Sequence, residues 1–419
     1  MAIISQKEQG VFLLLFNRNG YVLDFTDNTF DIFTTASVGE PIKTKYGLSK
    51  GKALVAYLNE ADDVQRTKLI LDLFHYYEDK MEYEYNKDLG DKTKKEHYVP
   101  RCYLENWKNN KGQVWVYDRR LKKTRINNVY DIACERYFYD IDYKKLSVQK
   151  LKLLEKLGIE PAQDEQFIEH FFSEHIEGVF SRLLSKILNT EITAWREKEC
   201  YFISKQEKLD FAVCVAFQYT RTNETRRMIV DMADCLEQAL QEMNVSEDVV
   251  ARYMIRKDDE RIIHGNMLLD IDYISNMALS FYNLTWILAV NKTSTDFYTS
   301  DNPIGTIPHA HNDFISMSGI NSKGVEVFFP LSPRYILLMY DSSYHKNMMP
   351  YDRRYLALNV EHLVRQYNKY GIYNCNRCVF SRDGDLSVVD EVMKTEPEIL
   401  DVPKTRLSWG GKSFFPRPK

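Results

Sequence analysis

KGVEVFFPLSPRYILLMYD, residues 323–341, decides the fold class. Two apolar runs rich in β-branched and aromatic residues flank Pro333-Arg334, and each is too short for a helix, so they read as strands. Strand-like segments recur at QVWVYDRR (113–120), CERYFYDID (134–142), DFYTSDNPIG (296–305) and RCVFS (377–381), the last after a helical ALNVEHLVRQYNKYG (357–371). Between them, residues 164–190, 205–243 and 268–289 carry apolar positions at helical spacing. The expected class is α+β, a large mixed domain with a mainly helical middle and strands on either side.

Outward to the amino end, GVFLLLFNRNGYVLDF (10–25) reads as a hairpin, because Asn19-Gly20 supplies the positive φ angles of a tight turn. Leu54, Leu58, Leu69, Leu73 and Tyr76 then fall at helical spacings, with Gly47 and Gly51 as breaks. This predicts a small hairpin-plus-helices module over residues 1–86, with a sensing or regulatory role. The polar run 83–95 is the connection, 92–390 the large domain, and 391–419 a carboxy-terminal extension.

With 44% hydrophobic and 28% charged residues the chain has the balance of a globular protein. A net charge of −4 argues against a surface coated in positive charge for duplex DNA. Seven cysteines without framework spacing fit a reducing compartment, so the cytoplasm is expected. No leader pattern opens the chain and no run approaches the roughly 20 apolar residues of a bilayer span, so no membrane partner is expected.

Four pieces in order carry a family resemblance: HYVPRCYLENW (97–107), QYTRT (218–222), TSDNPIG (299–305) with FFPLSP (328–333), and ALNVEHLVRQYNKYGIY with VFS (357–381). Together they resemble the bacterial family called domain of unknown function 4238. That resemblance implies no reaction. Separately, TASVGEPIKTKYGLSKGKALVAYL and the helix ending LDLFHYYE are similar to amino-terminal modules of abortive-infection proteins of the AbiJ type.

Read as chemistry, Pro100 holds Val99 extended and so fixes how His97 and Tyr98 leave the backbone; His97 is a candidate general acid or base, or only a loop partner. His170, Glu174 and Glu177 fall at i, i+4 and i+7 and would meet on one divalent metal, or form a solvated polar face; the family resemblance favours Glu177. Gln218 and Arg221 emerge at the end of a buried segment, where Arg221 would clamp an anion or pair with a buried acid such as Asp301. Asp301 and Asn302, before Pro303, would cap a turn or present polar groups at a strand end. Glu326 faintly echoes restriction-type nucleases, but the lysine that pattern wants is Phe328 here. Cys375 and Cys378 read as two buried thiols, there being no second pair for zinc.

Residues 92–125 hold eleven basic residues (Lys92, Lys94, Lys95, Arg101, Lys108, Lys111, Arg119, Arg120, Lys122, Lys123, Arg125) interleaved with Tyr98, Tyr103, Trp107, Trp115 and Tyr117. Either this binds single-stranded nucleic acid in preference to duplex by stacking and phosphate contacts, or it is a charged hairpin. Two functions follow. One is an abortive-infection effector of antiphage defence that cleaves RNA or DNA phosphodiesters, with His97, Glu177 and Asp301 catalytic, Tyr98, Gln218, Arg221 and Asn302 binding substrate, a divalent metal as candidate cofactor and a phage protein as trigger. The other is a noncatalytic sensor of a phage component or nucleotide.

Overall fold

In the computed structural model the described residues are 17–18, 21–22, 25–87, 95–162, 164, 166–189, 201–243, 246, 260–311 and 317–400. They divide into two units, Met1–Lys94 and Lys95–Lys419. Among these residues no helix is long and apolar enough to cross a membrane.

In the first unit β1 (Asn17–Arg18) and β2 (Tyr21–Val22) pair antiparallel, Asn17 opposite Val22; the Asn19-Gly20 turn and the GVFLLLF run lie outside the described residues. Four helices follow: α1 (Asp27–Val38), α2 (Ile42–Tyr46), α3 (Lys50–Glu60) and α4 (Asp63–Lys87). Thr26 and Thr29 cap α1 reciprocally, each side chain accepting the other's backbone N–H. The helices close over Phe30, Leu54, Leu58, Leu69 and Leu73, and Tyr76 stacks on Phe25 at 4.3 Å.

The larger unit starts with β3 (Lys95–His97), α5 (Arg101–Leu104), β4 (Gln113–Asp118), β5 (Lys123–Asn128) and β6 (Cys134–Arg136). The helical middle comprises α6 (Val148–Lys156), α7 (Phe167–Phe171), a π-helical turn (Phe172–Ile176), α8 (Glu177–Asn189), α9 (Lys205–Thr220), α10 (Asn223–Glu242), α11 (Glu260–Leu268) and α12 (Ile271–Tyr282). Strands return as β7 (Thr285–Asn291), β8 (Thr299–Ser300), β9 (Gly305–Pro308), β10 (Val325–Ser332), β11 (Tyr335–Tyr340) and β12 (Arg354–Leu358). α13 (Glu361–Asn374), β13 (Cys378–Ser381) and α14 (Ser387–Thr395) follow. The class is α+β.

Two sheets organise this unit, ordered β12-β7-β11-β10-β9 and β5-β4-β13-β8, with β3 and β6 as a separate pair. The helical reading of 268–289 fails at its end, where Thr285–Asn291 is a strand buried along its whole length at the interior of the five-stranded sheet. A strand covered on both faces has no alternation to betray it. Gly305 is obligatory on β9, since a Cβ there would meet the Phe328 ring at 2.3 Å. Beyond residue 390 the chain stays in the unit, with Val392 and Ile399 buried alongside Ile372 and Val379.

Candidate functional site

Ser204 and Glu207 cap the start of α9 reciprocally, and apolar residues then bury the helix nearly all round. Its end delivers Arg221 into the core with a side chain only 1% exposed. Such a cation needs partners at every reachable nitrogen. Nε donates to the Tyr139 hydroxyl at 3.0 Å, Nη1 to Glu177 at 2.9 Å and Nη2 to the His97 carbonyl, while the Phe172 ring lies 4.2 Å from Cζ. Burial works against the charge, yet Tyr139 and Glu177, with Glu169 beyond, hold the guanidinium's pKa above its usual value.

The π turn sets this geometry. An unbroken α-helix would align His170, Glu174 and Glu177; the wider turn at Phe172–Ile176 changes their spacing, and they part company. His170 bonds Asp164 at 2.6 Å, Glu174 is exposed, and Glu177 pairs with Arg221. Among the described residues no three His, Cys, Asp or Glu side chains are placed to hold a metal ion.

His97 sits at the end of β3, its ring against the Val129 carbonyl. Burial, reinforced by Arg101 and Arg221, lowers its pKa to about 4, so the imidazole is neutral at pH 7. Beside it Glu96 is fully buried, accepting from the Tyr139 N–H at 2.6 Å and Gln166 at 3.3 Å. Burial pushes Glu96 up to about 8 and Glu169 to about 7. His97 Nε2, Glu169 Oε2 and Gln218 Oε1 are buried without a hydrogen-bond partner among the described residues.

Asp301 does not meet Arg221, which corrects that proposed pairing. It is 2% exposed, and its carboxylate accepts from the backbone N–H groups of Asn376 (2.9 Å), Arg377 (2.7 Å) and Cys378 (2.9 Å). Burial raises its pKa to about 6 against those three bonds. Asn302 bonds the Asn374 carbonyl at 2.9 Å, and Asn374 returns to the Asn302 carbonyl at 2.8 Å. Gln218 donates to the Tyr98 carbonyl at 3.3 Å, and the Tyr98 ring packs on Phe138. Thus His97, Tyr98, Glu177, Gln218 and Arg221 come together, while Asp301 and Asn302 pin the 374–378 turn.

Of the two readings of 92–125, the stacking platform has no fully exposed ring among the described residues, Lys92 and Lys94 lying outside them. Tyr98, Tyr103, Trp107 and Tyr117 are core residues, and Trp115 is half-buried. Arg119 is buried too, donating to the Cys375 carbonyl at 2.7 Å. Glu96, Tyr139, Gln166 and Glu169 complete the centre and escaped the sequence reading; adjacency to HYVP was the one signal, and it marked only Glu96.

A family model described as "Protein of unknown function (DUF4238)" matches residues 95–385. No curated protein and no solved structure matches the chain.

Proposed function

The chain belongs to the DUF4238 family, and on that premise we propose that it is a cytoplasmic antiphage defence protein. In this reading the HYVP and SDNP motifs are frame pieces of a recognition domain that senses a phage protein or nucleotide. One observation carries it: the charged motif residues are spent on the protein's own chain. Arg221 holds the His97 carbonyl, and Asp301 holds three consecutive N–H groups. A clamp for substrate needs donors facing an open cleft, and a catalytic acid needs reach to a reacting atom. The defence context is supported by the AbiJ-like pattern of residues 25–80.

A second reading, nucleic-acid cleavage at this same centre, has one observation in its favour. His97 Nε2 and Glu169 Oε2 lack partners among the described residues, in a region of displaced pKa values, which is where acid–base sites gather. The two separate in a bacterium expressing wild type or His97→Ala at matched levels under phage challenge. Recognition predicts that protection survives, with RNA and DNA integrity the same for both proteins. Loss of protection in a His97→Ala protein that still melts like wild type would support catalysis by His97 and overturn the recognition reading.

A further inference from the structure

Away from that centre, Glu326 lies near the start of β10, opposite Tyr340 of β11, and is almost fully buried. Its carboxylate is held from two sides: the Tyr367 hydroxyl of α13 donates to Oε1 at 2.6 Å, and His309 Nε2 meets Oε2 at 2.6 Å. A partner serving only to neutralise a buried acid would be buried with it. The His309 side chain is instead 40% exposed. With Nε2 committed to Glu326, Nδ1 is the nitrogen left, and it has no partner among the described residues. This is the arrangement in which a buried carboxylate orients an imidazole and leaves its second nitrogen for substrate.

A second imidazole adjoins the first. The His345 ring meets His309 edge to face, centroids 4.9 Å apart, and its Nε2 lies 3.4 Å from the Gly324 carbonyl. A carbonyl can only accept, so Nε2 is the donor there, which leaves Nδ1 as the nitrogen able to take a proton. His309 faces a carboxylate, which favours its protonated form. Tyr340 and Tyr344 pack on His345, and the Asp341 carboxylate is occupied by the Gly324 and Ser343 N–H groups. Exposed Lys323 and Lys346 are the chain neighbours of Gly324 and His345, and lysine is a charge that a phosphate backbone takes.

We propose that His309 and His345, with Glu326 behind His309, form an acid–base site that cleaves RNA by internal transphosphorylation. His345 Nδ1 takes the proton of a ribose 2′-hydroxyl, and the 2′-oxygen bonds to the adjacent phosphorus. The bond from phosphorus to the 5′-oxygen breaks, and that oxygen receives the proton from His309 Nδ1. The products are a 2′,3′-cyclic phosphate and a 5′-hydroxyl, and water exchanges the two imidazoles back. The nucleophile is the substrate's own hydroxyl, so DNA is not a substrate. This goes beyond the recognition reading and does not depend on it.

The test uses the purified full chain and a DNA oligonucleotide containing a single ribonucleotide, with the all-DNA oligonucleotide alongside. Scission is expected only at the ribonucleotide, leaving a cyclic phosphate by mass, with a bell-shaped dependence of rate on pH. His309→Gln, which keeps a donor to Glu326, and His345→Gln should each lower the rate about 100-fold, within the range for loss of a general acid or base, while melting as wild type does. No scission, a 5′-phosphate product, or scission indifferent to both substitutions overturns the proposal.

Discussion

Replacing Arg221 by Met removes three donors at once while keeping most of the side chain's bulk. The His97 carbonyl, the Tyr139 hydroxyl and Glu177 are left behind. Glu177 is 26% exposed and can turn to water, but the other two acceptors are buried. Breaking a buried ion pair typically costs about 3–5 kcal/mol, and a buried acceptor left unmade about 1–3 kcal/mol. Since water relieves Glu177, we expect a total of about 4 kcal/mol. For a unit of roughly 300 residues, an unfolding entropy of about 2.1 cal/mol/K per residue turns this into a drop of ~6 °C in Tm. All five tryptophans belong to residues 95–419, so tryptophan fluorescence during urea unfolding reports the larger unit alone. Glu177→Gln, which keeps an acceptor for Nη1, should cost under about half as much, because partly exposed pairs are weakened by solvent. An Arg221→Met protein within about 1 kcal/mol of wild type would refute the idea that this side chain bolts β3, α8 and α9 together.

Glu96→Gln tests the buried acid. The folded-state pKa is raised to about 8 from an ordinary 4.5, so the stabilising protonated form is fully present below about 4.5 and its contribution is lost as pH rises through 8. Stability of the wild type relative to Glu96→Gln should therefore fall between pH 5 and 8, by an amount on the order of 3–4 kcal/mol; a constant difference in urea midpoint across that range would contradict the burial argument. Truncation tests the carboxy-terminal boundary. A chain ending at Asp385 keeps the whole family match but loses Val388, Val389, Val392 and Ile399 from the core. It should be less stable than a chain ending at Leu400 by several kcal/mol, at about 1.5–3 kcal/mol per buried aliphatic side chain, and equal melting of the two would show that α14 is dispensable.

The parts legible in the sequence were those whose signals are local. The runs around Pro333-Arg334 paired as β10 and β11, and the helix read over 357–371 became α13 except at its start, where Ala357 and Leu358 end β12, because alternation and helical spacing are properties of contiguous residues. What stayed hidden depended on distant partners. Arg221 was visible as a cation leaving a core, but its choice of Glu177, 44 residues away, over Asp301 depends on the π turn, which has no composition of its own. The aromatic residues of 98–117 looked like a stacking surface, since burial of a tyrosine cannot be told from its neighbours in sequence. Glu326 was noticed for a nuclease pattern it does not complete; the histidine that meets it lies 17 residues upstream in another strand's extension.

The arrangement of the four-stranded sheet has a consequence for synthesis. β4, near residue 115, bonds to β13, near residue 380, and Arg119 reaches the main chain at Ile399, 280 residues on. On the ribosome, β4 must wait for roughly 260 further residues to be translated before its inner edge is covered by β13. At about 5–20 residues per second that delay lasts tens of seconds, during which an apolar strand edge is open to wrong neighbours. Yield of native protein should then respond to holdase chaperones and to elongation rate, even though the finished domain encloses that edge.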